Sequence, residues 1–164
     1  MLLFWDLISI SIWAIVIAPI VLYYFTKDIA YIYILIGIVV CELFIKLSRT
    51  FKYSKNLHKI VYRPNTAMNC SIFNRGGSFQ GRIGMPSGHV MLTAFTLSAI
   101  FIHQYGLGKK GSHQIEGWLI VLIAIILMSA SRMYKKCHNI WQVIIGAILG
   151  IGAACFIQVS LYLI

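Results

Sequence analysis

The sequence predicts an all-α membrane protein: a polytopic transmembrane helical bundle of about five spans in a single domain. Three observations carry that expectation. Of its 164 residues, 60% are hydrophobic and only 11% charged, whereas soluble domains carry about 25% charged residues. The mean hydropathy is +0.84. Several apolar runs approach the length that crosses a bilayer, and lipid leaves the backbone of such runs no partner outside their own helix.

The runs are Leu7 to Phe25, Ile29 to Leu47, His89 to Ile102, Trp118 to Ala130 and Ile140 to Ile164. The third and fourth reach bilayer length only if flanking residues such as Gly88 or Ser131 extend them. Otherwise they are helices buried in the bundle. The first reads as a retained span rather than a signal peptide, because it carries Asp6 in place of a basic leader and shows no small-residue cleavage pattern. Thr26-Lys27-Asp28 is a tight turn, Ser48 to Ser87 a long polar segment, and Ser131 to Asn139 a short basic one. Gly146, Gly150 and Gly152 in the last run suit close helix packing, more simply within the molecule than across a dimer.

Charge adds a second theme. Fourteen Lys and Arg stand against four Asp and Glu, a net charge of +10. With five spans, the segments 48–87 and 131–139 share one membrane face, together with Lys46. That face holds eleven bases and the opposite face holds Lys27, Lys109 and Lys110. By the positive-inside rule the basic face is expected in the cytoplasm. The bases lie at one membrane edge without the interleaved aromatics of a stacking platform, so nucleic acid is not an expected partner. Anionic lipid and phosphate are.

Four cysteines show no metal-ligand spacing, and no metal or other cofactor is expected. Cys41 and Cys155 sit in apolar runs as small hydrophobes. Cys70 and Cys137 fall on the same face, where a disulfide between them is possible, with free thiols the default expectation. Asp6 and Glu42, acids at or within apolar runs, should face the bundle interior or an interface. Glu42 has Lys46 one turn on as a partner in reach.

Three short signals fall on the basic face. In Pro86-Ser87-Gly88-His89, proline suits a first helical turn. Gly88 admits an anion close to the backbone, and the free N–H groups of the helix start favour phosphate. Ser87 adds a hydroxyl, and His89 can exchange a proton near neutral pH. Arg63 and Arg132 supply planar forks for phosphate oxygens. His138, six residues beyond Arg132, stays neutral more readily beside two arginines, and a neutral imidazole is a nucleophile.

Arg63-Pro64, Pro86-Ser87-Gly88-His89 and Ser131-Arg132 followed by His138 together resemble the type 2 phosphatidic acid phosphatase family, membrane lipid phosphatases related to vanadium haloperoxidases. The resemblance covers about residues 50 to 155. It implies a lipid phosphate monoester or diphosphate as substrate and a phosphohistidine intermediate formed on His138. It implies His89 as general acid, with Arg63, Arg132, Ser87 and the Gly88 N–H holding the phosphoryl group. Two positions depart from the family pattern. The first-motif lysine corresponds to Asn56, leaving Lys59 as the preferred substitute on helical spacing and Lys55 as the runner-up. The family's final Asp, which orients the nucleophile, corresponds to Gln142. A Gln oxygen can accept the same hydrogen bond but carries no charge. In serine proteases the comparable change costs about 10⁴ in turnover. The alternative is therefore a weakened or inactive member serving as a structural membrane protein with a membrane or capsid protein as partner. Compact forms with Gly-Met-Pro-Ser-Gly-His are similar to those of large DNA viruses with internal membranes.

Overall fold

The computed structural model describes residues 2–51, 53, 57–67, 70, 81–105 and 113–162. It is a helical bundle of α1 (Leu2–Thr26), α2 (Ala30–Ser48), the single-turn α3 (His58–Val61), α4 (Gly88–Tyr105), α5 (His113–Tyr134) and α6 (Ile140–Tyr162). The five long helices correspond to the five apolar runs, with α1, α4 and α5 extending beyond theirs. Four of them, α1, α2, α5 and α6, are long and apolar enough to cross a membrane. Their outward faces carry large apolar side chains, among them Ile17, Val39, Ile120 and Phe156.

The third expected run behaves differently. Helix α4 has 18 residues, about 27 Å at the α-helical rise, and it forms the centre of the bundle. It packs on α1, α2, α5 and α6. Its Val90, Ala94, Phe95 and Ala99 are fully buried, and so are Thr93, Thr96 and Ser98. A helix that meets protein on all sides can carry hydroxyl groups that a lipid-facing helix would not. This is why its sequence is less apolar than its position is buried.

Close packing of α4 on α6 depends on glycine. A Cβ at Gly146 would come within 2.9 Å of the Ser87 carbonyl oxygen, and one at Gly150 would collide with the Met91 carbonyl. Gly146 and Gly150 are thus used inside the molecule and bring α6 against the first turns of α4, whereas Gly152 faces open space. At the opposite membrane face, Asp28 in the α1–α2 turn ties that turn to α4. Its carboxylate accepts from the Ala30 N–H (2.9 Å) and sits 2.7 Å from His103 Nε2. The backbone bond first, and His103 after it, hold the Asp28 carboxyl below its ordinary value.

The long polar connection 49–87 folds back onto the face where α2 ends and α4 begins. Among the described residues there is no strand, only an isolated antiparallel bridge between Tyr62 and Ile83. Arg63 N–H donates to the Arg82 carbonyl (3.0 Å), and Gly84 N–H to that of Val61 (2.9 Å). The bridge places Arg63 beside the helix start. Residues 71–80 of the polar segment lie outside the described residues.

One expectation is corrected here. Cys70 and Cys137 are not free thiols but form a disulfide, with Cα atoms 5.4 Å apart. Both are buried, and together with Ala67 they form a small apolar cluster of their own. Cys41 and Cys155 are free. The disulfide joins the segment after Arg63 to the turn between α5 and α6. It closes a loop that includes α4 and α5, so it should contribute about 2 kcal/mol to stability. Reductant is therefore expected to lower the melting temperature of the detergent-purified protein. The double variant Cys70→Ser/Cys137→Ser should melt lower and be insensitive to reductant. Equal melting of oxidised and reduced wild type would contradict the role assigned to this bond.

Candidate active site

The site is assembled by three chain segments converging on the N-terminus of α4. Ser87, fully buried, ends the turn before α4, and its backbone N–H donates to the Gln142 carbonyl (3.0 Å). Gly88 and His89 open the helix. Arg63 arrives from the bridged segment. Arg132 comes from the last turn of α5, and His138 from the turn before α6. Gly84 is required at the junction, because a Cβ there would come within 2.7 Å of both Arg63 Cγ and Gln142 Oε1.

Arg63, Gly88, His89, Arg132 and His138 line one cavity of about 580 Å³, together with Arg49 and Lys46 from the end of α2. Three buried polar atoms of this region make no hydrogen bond to any described residue: Ser87 Oγ, His89 Nε2 and Arg132 Nε. His89 and Arg132 line the cavity with Arg63 and Arg49, and Ser87 adjoins it at the start of α4, so cationic and hydrogen-bonding groups are gathered at this end. The cavity continues from this polar end into the seam between α1 and α2. There it is lined by Ile12, Trp13, Val16, Ile38 and Ile45, with Leu92 of α4. A polar head and an apolar arm thus form one continuous space.

Arg132 is almost wholly buried and held on two sides. Its Nη2 donates to the Cys70 carbonyl (2.8 Å) and its Nη1 to Ser9 Oγ (3.5 Å). Ser9 is itself bonded to Ser131 Oγ (2.9 Å), and Ser131 Oγ also donates to the Trp5 carbonyl (3.0 Å). An ion pair of Asp6 with Lys135 and a stacked Trp5–Tyr134 pair bind the same stretch of α1 to the end of α5. Sequence reading did not foresee this clamp. Asp6 and Ser9, three residues apart on one face of an apolar run, were the available signal.

His138 is 4% exposed, and its Nδ1 lies 2.9 Å from Gln142 Oε1. The tautomer follows from the surroundings of Gln142. The amide nitrogen of Gln142 donates towards the carbonyls of Ile60, Val61 and Tyr62, each at 3.0 Å. Three carbonyls around one end of the amide can be met only by its NH₂ group, so the oxygen must point at His138. An oxygen there only accepts, so Nδ1 carries the proton and Nε2 presents its lone pair. Asn139 reinforces the arrangement: its Oδ1 accepts from the Gln142 N–H (3.0 Å), and its own N–H donates to Gln142 Oε1 (3.4 Å).

The electrostatics agree with a neutral imidazole in a cationic pocket. Burial first, and then Arg63 and Arg132, hold the His138 imidazole well below the ordinary histidine value; the bond to Gln142 pulls weakly the other way. Burial pushes Arg63 down to about 10, with Arg49, Arg132 and Arg82 adding to the effect. Burial also lowers Arg49, opposed by Glu42. At neutral pH the guanidinium groups remain charged while His138 is neutral.

The remaining expected residues fall out differently. Lys59 is exposed and does not line the cavity; its backbone carbonyl, not its side chain, is engaged, accepting from Asn139 Nδ2 (3.0 Å). Lys55 and Asn56 lie outside the described residues. The additional cation in the cavity is instead Arg49, whose Nη2 would lie 3.6 Å from a Cβ at Gly88. Its position at the cytosol-or-lumen end of α2, on a helical stripe with Ile38, Glu42, Ile45 and Lys46, was readable but was not read as part of the site. Glu42 does not close on Lys46 as an ion pair.

A family model described as the PAP2 superfamily matches residues 30–162. The chain belongs to the PAP2 superfamily. Comparisons with curated proteins and with solved structures gave no match. PAP2 membership and the four apolar helices make this an integral multi-pass membrane protein of phosphatase-like architecture. The match reaches further towards the N-terminus than the three motifs do and takes in α2, the helix that supplies Arg49. It leaves out α1, which supplies Ser9 and Asp6.

Gln142 therefore sits in surroundings fitted to an amide. Gln142→Glu changes the NH₂ group to an oxygen facing three carbonyls. It is expected to destabilise the protein by at least ~2 kcal/mol at neutral pH and to leave turnover no higher than wild type. The deficit should narrow as pH falls, because the introduced carboxyl can donate once protonated. Melting temperatures in detergent between pH 5 and pH 8 check this; a variant as stable as wild type throughout would contradict the amide assignment.

Proposed function

We propose that the protein is a membrane phosphatase acting on a lipid phosphate monoester or diphosphate through a phosphohistidine. The observation that carries this reading is the continuity of the cavity. Its lining holds three arginines and two histidines together with the apolar Ile12, Trp13, Val16, Ile38 and Ile45 of α1 and α2, which a lipid tail would fit. A phosphate anchored at a bilayer edge with its tail in the seam matches that shape.

In this reading Arg49, Arg63, Arg132, the Ser87 hydroxyl and the Gly88 N–H hold the phosphoryl oxygens and stabilise their developing charge. His138 Nε2 attacks phosphorus. A P–N bond forms as the P–O ester bond breaks, and the leaving alkoxide takes a proton from His89. Water then gives a proton to His89 and its oxygen attacks phosphorus. The P–N bond breaks and inorganic phosphate leaves, returning His138 to its neutral form. The positive charge that develops on His138 meets a Gln142 dipole instead of a carboxylate, so turnover is expected to be slow relative to a site with Asp at that position.

The neutral charge at position 142 also supports a second reading, a non-catalytic scaffold in a membrane, with a membrane or capsid protein as partner. Orientation is part of the proposal. The Cys70–Cys137 disulfide favours placing the site face towards an oxidising compartment. That runs against the cytoplasmic placement expected from the count of bases. Four of those bases, Lys46, Arg49, Arg63 and Arg132, line the cavity; setting them aside leaves seven against three, so the disulfide alone opposes the cytoplasmic placement.

Purified protein in detergent is expected to release phosphate from short-chain phosphatidic acid or a short polyprenyl diphosphate. His138→Ala should abolish release, and Arg63→Ala should reduce it by about 10² or more. Release that is absent across these substrates, or unchanged in His138→Ala, would favour the scaffold.

A further inference from the structure

One cavity residue has no part in holding phosphate. Glu42 is the sole acid among the residues lining the cavity, which otherwise carries Arg49, Arg63, Arg132 and Lys46. We propose that Glu42 is a specificity-determining residue: it accepts a hydrogen bond from a hydroxyl or ammonium group carried within the first few carbons of the substrate's tail. This inference rests on the lipid-phosphate reading of the site and narrows the substrate class.

The placement comes from helical spacing. Ile38, Glu42, Ile45 and Arg49 line the cavity from one stripe of α2. Arg49 marks the phosphate end, beside Gly88. Glu42 precedes it by seven residues, two turns or about 10 Å deeper along the helix. Its carboxylate therefore lies past the phosphate on the side of the tail, where the wall becomes apolar.

An ionised carboxylate within a membrane span is costly unless it faces a partner or a cavity, and Glu42 faces this cavity. Among the described residues it makes no hydrogen bond and no ion pair, and its charge acts on Arg49 from a distance. Lys46, one turn on, lines the same cavity without closing on it. Ionised, the carboxylate only accepts hydrogen bonds, and it repels a phosphate. A ligand consisting of phosphate and bare hydrocarbon gains nothing from it. A ligand with a donor at that depth gains a charge-assisted hydrogen bond in a partly dry space. Glu42 thus favours a lipid phosphate with a hydroxyl or an ammonium near its head over one without.

The test is binding of three non-hydrolysable probes to the full chain in detergent: undecylphosphonate and its 3-hydroxy and 3-amino derivatives. They differ in one substituent and need no turnover to be read. Wild type is expected to bind the 3-amino probe about tenfold more tightly than the parent, with the 3-hydroxy probe between them. Glu42→Ala should abolish that preference and tighten binding of the parent, because a repulsive charge has gone. Glu42→Gln should keep the hydroxyl preference and lose most of the ammonium preference. Retained parent binding reports a folded site in either variant. Equal binding of all three probes by wild type would overturn the proposal while leaving the phosphate site standing. A parallel shift of all three in Glu42→Ala would also overturn it, since that marks a mere counter-ion of Arg49. Failure of every probe to bind wild type would overturn the lipid-phosphate reading itself, and this proposal with it.

Discussion

The side-chain amide of Gln142 is the interaction on which the site depends. One end is satisfied by three backbone carbonyls from Ile60 to Tyr62, and the other accepts from His138. Its own backbone carbonyl takes the Ser87 N–H. A single fully buried residue at the start of α6 therefore touches all three pieces of the site: the segment leading to Arg63, the helix start at Ser87, and the nucleophile. An aspartate could orient the imidazole but could not serve three carbonyls, because it has no donor when ionised. The departure from the family pattern is matched by the structure around it. What the amide cannot supply is charge; the geometry it holds is intact.

A second constraint is the number of cations held together. Arg63 and Arg132 each act on His138, and Arg49 and Arg132 act on Arg63. Such a cluster opposes folding unless each guanidinium is fixed or matched. Arg132 is fixed by the Cys70 carbonyl and Ser9, hence by the disulfide on one side and by α1 on the other. The disulfide also ends one residue from His138. Both features look peripheral in sequence, yet they hold the arginine and the nucleophile in place. Arg49, Arg63 and Arg132 meet at one end of the cavity, with Glu42 two turns before Arg49 on the same wall.

Much of this was legible before any coordinates. Helix count and order followed from the apolar runs, because lipid leaves the backbone few choices. Arg63, Ser87, Gly88, His89, Arg132 and His138 could be named because each belongs to a short local motif. What could not be read depends on distances between segments. Lys59 was preferred from spacing along a continuous helix, but α3 is one turn long and that side chain faces outward. Arg49 took the place in the cavity from a different helix. The pairing of Cys70 with Cys137 needs the fold of the connection after Arg63, which no periodicity encodes. Ser9 sits in an apolar run where a small polar residue gives little signal until its partner on α5 is known. The buried hydroxyls of α4 lowered its apparent hydropathy because that helix meets protein on all sides.

Gln142 fixes His138 as the Nδ1–H tautomer and leaves Nε2 unprotonated. Nitrogen-15 NMR of histidine-labelled protein in detergent, with His138 assigned by comparison with His138→Ala, measures this directly. The prediction at pH 7 is a neutral ring with a protonated Nδ1 and an unprotonated Nε2. In Gln142→Leu that tautomer preference should be lost. An imidazolium ring, or the Nε2–H tautomer in the wild-type protein, would contradict the account.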